Sequence, residues 1–264
     1  MRGNVWLVRG LLIFSQLAAL IIFIVIINQK KPQQSPAIAS MPAIPNNRAI
    51  IPLILPKKVT QIVPSPQINK VQFVAKYQPR YEISWAHPSN YGQRYTRDVN
   101  GFPVSIQPII VIHETVNSAS SALHNFQTPH TNENAQVSYH ALIKLDGTIV
   151  YIVPREFRAF GAGNSVFNGA NGIETVKTHQ QFPPSVNNFA YHIAFETPLD
   201  GWNSSNHHSG YTQLQYNSLA WLVGQTNVPE NRITTHKAVD RSGKRIDPRS
   251  FERWKFLSLL KSYR

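Results

Sequence analysis

The feature that most limits what this chain can fold into is a change of character near residue 80. Residues 29–80 hold nine prolines: Pro32, Pro36, Pro42, Pro45, Pro52, Pro56, Pro64, Pro66 and Pro79. Proline fixes φ and removes a backbone donor, so at this density neither a helix nor a central strand can run, and extended, polyproline-like chain is favoured. The same boundary divides the charge. Residues 1–80 contain ten Lys or Arg and no Asp or Glu, whereas residues 81–264 hold the other sixteen basic and all thirteen acidic residues. Of the net +13, therefore, +10 belongs to the first 80 residues and +3 to the rest. One folded domain is expected over 81–264, long enough for a proper core, behind a basic, Pro-rich linker over 29–80.

Residues 1–28 read as a membrane anchor. From Leu11 to Ile27 run seventeen residues without a charge, with Arg2, Trp6 and Arg9 before them and Lys30 and Lys31 after. That is near the lower length for a spanning helix, which Trp6, Leu7 and Val8 can extend while Arg9 snorkels. The rival reading is a cleaved signal peptide, but the nearest small-residue site, Ala37-Ile38-Ala39, lies well past the apolar run. Positive charge scattered through such a leader suits an anionic surface, membrane or cell wall. No nucleic-acid-binding motif is present, so no nucleic-acid partner is expected. Cysteine is absent, which excludes disulfides, Cys-ligated zinc, thiol catalysis and a lipidated Cys, and leaves the compartment open.

Beyond residue 80 the apolar pattern switches between strand and helix periods. Strands are expected at 107–115, 137–145, 148–153 and 190–196, with Asp146-Gly147 as a hairpin turn between the second and third. Helices are expected at 118–126, after Thr212, where Thr212 and Gln215 form a capping box, and over 250–260. The second of these helices carries Tyr216, Leu219, Ala220 and Val223 on one face. The expected architecture is mixed α/β, a mainly central β-sheet flanked by helices. Alternation along the strands sets His113 and Thr115 on one face and Ile110, Ile112 and Glu114 on the other. It likewise sets His192, Ala194 and Glu196 opposite Ile193 and Phe195.

Three side chains able to bind metal lie at or beyond the ends of apolar runs: His113, His236 and Asp247. Two imidazoles and one carboxylate leave a coordination position open for water, the arrangement of catalytic zinc sites, provided the three converge. Taken singly, each has a bland alternative as a hydrogen-bonded structural residue. Tyr139 can be a packed hairpin aromatic, Lys244 and Arg245 plain surface charges, and His207-His208 a solvated loop.

Six strings in order resemble the zinc-dependent N-acetylmuramoyl-L-alanine amidases of the type-2 family, relatives of the peptidoglycan recognition proteins. They are SNYGQR (89–94), IVIHET (110–115), VSYHALIKLDGTIV (137–150), AGNSVFNG (162–169), HIAFE (192–196) and HKAVDRSGKRIDP (236–248). The resemblance implies a peptidoglycan recognition protein-like fold and a Zn2+ ion held by His113, His236 and Asp247. It implies Glu196 as the catalytic acid/base, Tyr139 beside the zinc, and Arg245 or Lys244 as the cation that stabilises the oxyanion. The implied substrate is peptidoglycan, cut between N-acetylmuramic acid and L-alanine; the alternative is a non-catalytic peptidoglycan-binding module. A 2-His-1-carboxylate iron oxygenase fits poorly, because Thr115 stands where such enzymes place their carboxylate. The implied location is the bacterial inner membrane, single-pass, with the domain facing the periplasm, or secretion after signal cleavage. The chain departs from the family pattern in several places: Arg245 stands where the family usually has Lys, and residues 170–187 look longer than the usual connection. Gly161 stands for the His of a WHAG loop, HIAFE for SIGIE, and Asp247-Pro248-Arg249 for DPG.

Overall fold

The computed structural model describes residues 77–264. The expected anchor (1–28) and all but the last four residues of the expected linker lie outside the described residues. Among the described residues no helix is long and apolar enough to cross a membrane. The strands and helices follow in the order β1 (Tyr81–Ile83), β2 (Tyr91–Gln93), β3 (Ile109–Glu114), α1 (Ala119–Gln127), β4 (Ala141–Ile143), β5 (Ile149–Tyr151), β6 (Phe157–Ala159), β7 (Phe167–Gly169), β8 (Gly172–Glu174), β9 (Ala190–Phe195), α2 (Gln213–Gly224), β10 (Ile233–Thr235), α3 (His236–Val239) and α4 (Arg253–Leu260).

Six strands make the main sheet in the order β1-β5-β4-β9-β3-β10. β4 and β5 are antiparallel, and every other neighbouring pair is parallel. All six residues of β3 are buried, as expected for a strand with both faces covered. On one face Ile110, Ile112 and Phe195 pack with Tyr216, Leu219 and Val223 of α2 and with Phe256 and Leu260 of α4. On the other face Ile109 and Val111 join Phe167, Val186 and Phe189, and Leu142 and Val150 join Phe126 of α1. The mixed sheet with helices on both sides is the architecture that the apolar pattern predicts. Each large apolar side chain buried this way stabilises the fold by about 1.5–3 kcal/mol.

The local signals set the element ends. Gly147 turns the β4–β5 hairpin with φ +82°. Thr212 and Gln215 cap α2 reciprocally, and Ser118 caps α1 by accepting from the Ser121 N–H at 3.1 Å. The last helix starts at Arg253, three residues later than the apolar stripe suggests, because Ser250 adopts φ +54°, which no helix accommodates. The fold also reaches back to Tyr77, whose hydroxyl lies 2.8 Å from Ser218 Oγ on α2.

Register positions the C-terminal edge of the sheet for chemistry. Thr235 pairs with Ile112, so the next residue, His236, stands beside His113. Ala194 pairs with His113, so Glu196 lies one pleat further out on the same face.

Candidate metal centre

His113 is the fifth residue of β3 and fully buried. His236 opens α3, where Thr235 provides the cap by accepting from the Ala238 N–H at 3.2 Å. Asp247 reaches the same point from the loop before α4, tied down by Lys237 N–H donating to the Asp247 carbonyl at 2.9 Å. Ligand atoms of the three lie within 4.8 Å of one another. His236 Nδ1 is 3.1 Å from either oxygen of Asp247, and His113 Nδ1 is 3.4 Å from Oδ2. Thus residues as far apart in the chain as 113 and 247 meet in one buried cluster.

The electrostatics favour the ligand forms. Burial pushes His113 down to about 4, so its imidazole is neutral at neutral pH. Burial alone would raise Asp247, but its contacts with the His113 and His236 rings hold it below the ordinary carboxylate range. His113 Nδ1 is buried without a well-formed hydrogen bond. An unpaired buried nitrogen costs about 1–3 kcal/mol, a cost that a cation at this point would remove. Two imidazole nitrogens with one carboxylate suit zinc.

Tyr139 stacks on the His113 ring at 4.4 Å and meets Phe126 edge-on. Burial, and then the Asp247 charge, push its pKa up, so the phenol keeps its proton. Glu196 follows the last residue of β9. Its carboxylate accepts from the Ala119 N–H at 2.8 Å and the Leu145 N–H at 2.9 Å, which fixes its orientation between α1 and the hairpin turn. Lys244 and Arg245 are exposed on a loop that Asp240 organises by accepting both their backbone N–H groups. They are not equivalent, because the Arg245 charge acts on both His113 and Tyr139. The structure thus brings His113, His236, Asp247 and Tyr139 into contact. Glu196 stands beside α1, and the two cations lie on the rim.

Sequence reasoning gave no role in the site to four residues here. His192, buried on β9, has Nδ1 2.9 Å from His113 Nε2. His208, expected in a solvated loop, instead directs Nε2 to Glu114 Oε2 at 3.0 Å with its side chain buried. Glu114 also accepts from Arg249 Nε at 2.6 Å and Tyr211 Oη at 3.1 Å. Arg249, in turn, donates to the carbonyls of Gly201, Asn203 and Ser205. The signals were present as HIAFE and as Arg249 in place of glycine, but their partners lie 44 to 135 residues away.

Comparison with known proteins supplies the class. The N-acetylmuramoyl-L-alanine amidase family matches residues 105–250, more than half of the chain, and the chain belongs to that family. Among solved structures the chain is similar to AmpD in a selenomethionine form, at 24% identity and TM-score 0.46 over 71% of this chain and 96% of that one. It is similar to LysC of Clostridium intestinale at 19% identity and TM-score 0.42, over 70% and 99%. Citrobacter freundii AmpD matches at 21% and 0.41, over 74% and 97%. The family assignment rests on the match across 105–250, not on these superpositions. No curated protein matches the chain.

Proposed function

We propose that the domain cleaves the amide bond between N-acetylmuramic acid and L-alanine in peptidoglycan, using zinc held by His113, His236 and Asp247. The observation that carries this is the buried His-His-Asp cluster within a domain of the amidase family. When bound, zinc supplies a Lewis acid for the scissile carbonyl and a water activated near neutral pH.

The chain's own groups supply the rest. His113 enters as a neutral donor and Asp247 as an anion, so neither has to lose a proton to take up a metal. Glu196, oriented by two backbone N–H groups, keeps a lone pair free on each oxygen to accept the attacking water's proton and deliver it to the leaving amine. Tyr139, kept protonated by burial, is a hydrogen-bond donor to a developing oxyanion, with Arg245 the rim cation whose field reaches it.

The test is digestion of purified peptidoglycan by the full-length protein. Stem peptides should be released, release should stop on chelation and return with zinc, and His236→Ala should reduce it to background. Binding without release under every condition would favour the recognition-module reading.

We also propose that residues 1–28 tether the domain to the bacterial inner membrane facing the periplasm, with 29–80 as spacer. In support, the uncharged run from Leu11 to Ile27 is followed by nine prolines, and intact peptidoglycan lies outside that membrane. A C-terminal reporter active only in the cytoplasm would overturn this topology.

A further inference from the structure

Two residues that depart from the family strings meet in space. A Cβ built on Gly161 would lie 2.5 Å from both Cγ and Nδ1 of His192. That is closer than real Cβ contacts come, and the ring cannot yield. His192 is fully buried in the central strand β9, its N–H donating to His140 Nδ1 at 3.0 Å and its carbonyl accepting from the His140 N–H at 2.9 Å. The His140 ring lies nearly parallel to it, 5.8 Å away. Gly161 is therefore glycine because the imidazole of His192 occupies the space of its side chain.

That imidazole is aimed at a ligand. His192 Nδ1 is 2.9 Å from His113 Nε2, while His113 Nδ1 faces Asp247. A neutral imidazole carries one hydrogen. If Nδ1 of His113 binds a metal, the hydrogen must sit on Nε2, and only an acceptor at His192 Nδ1 satisfies it. The hydrogen of His192 then falls on its Nε2, which is the buried atom without a partner. We propose that His192 is the positioning residue of the metal centre: it accepts the His113 Nε2–H, selects the tautomer that frees Nδ1 for the ion, and fixes the ring's direction. Gly161 is the space that permits it. Outer partners of this kind orient ligating histidines in metal sites generally. This inference rests on the zinc reading above.

The experiment measures zinc affinity of the full-length protein by chelator competition, with the absorption spectrum of the Co2+-loaded form as a second readout. His192→Leu should weaken zinc about 10–100-fold and shift the Co2+ bands. His192→Asn, whose Oδ1 replaces Nδ1 as acceptor, should recover most of the affinity. Gly161→Ala should weaken zinc in the presence of His192 but add little to His192→Ser, because the clash is then gone. Wild-type affinity and an unchanged Co2+ spectrum in His192→Leu would overturn the proposal while leaving the zinc reading intact. Absence of zinc binding by the unmodified protein would overturn both. Should His192→Leu not fold, NMR of the zinc-loaded protein decides. A slowly exchanging His113 Nε2–H coupled to His192 Nδ1 supports the assignment, and a proton found on His192 Nδ1 refutes it.

Discussion

Glu196 and Arg245 are the residues whose proposed roles depend most on small differences in placement. Glu196 is held by Ala119 and Leu145 N–H groups rather than by any of the three candidate ligands. A group that moves protons must be ionised and fixed, and those two donors fix it. Glu196→Gln keeps the shape but cannot accept the proton, so kcat should fall about 10²–10⁴-fold with little change in zinc affinity; equal loss of both would mean that Glu196 serves the metal instead. The two adjacent cations separate on electrostatic grounds. The charge of Arg245 acts on His113 and Tyr139, whereas the contacts of Lys244 are through its backbone to Asp240 and Ser242. Arg245→Ala should therefore reduce kcat by about 10²-fold, and steady-state kinetics should show a smaller loss for Lys244→Ala. A larger loss at Lys244 would reverse the assignment.

At the scale of elements, β3 does two jobs through alternation. Its His113 faces the candidate centre, while Glu114 turns to the opposite side and binds Arg249, His208 and Tyr211. Arg249 lies two residues after Asp247, so one buried ion pair braces the strand of one ligand against the loop of another. Its three carbonyl partners between Gly201 and Ser205 draw the Asn/Ser-rich segment into the same network. Removing one partner strands a buried charge, so Arg249→Met should destabilise the domain by about 3–5 kcal/mol in urea unfolding. A loss below about 1 kcal/mol, the size of an exposed pair, would show that the network is not a brace. The capping box of α2 is a smaller and purely local term, and Thr212→Ala should cost about 1 kcal/mol.

For the whole molecule, the buried imidazoles make stability depend on acid. Burial pushes His113 down to about 4 and His140 down to about 3, and His192 is also lowered. An unfolded chain takes up these protons below about pH 6.5, whereas the folded chain refuses them until much lower pH. The unfolded state then binds more protons, so stability of the metal-free protein should fall steadily from about pH 6.5 toward pH 4. Thermal unfolding across that range checks this, and His140→Gln should make the slope shallower by up to one proton; an unchanged slope would remove His140 from the account. The parts of this fold that could be read along the chain are those whose causes are local. Asp146-Gly147 turned a hairpin, Thr212 and Gln215 capped a helix, and strand alternation correctly set His113 and Glu114 on opposite faces. Residue type and position named the candidate ligands and the family strings supported them, but neither their spacing nor their chemistry said that they meet. Tertiary structure decided that, by pairing Thr235 with Ile112 so that His236 stands beside His113. It also decided what Gly161, His192, His208 and Arg249 are for. Each of these residues is explained by a partner distant in sequence and buried with it, and hydrophobic periodicity carries no information about such pairs.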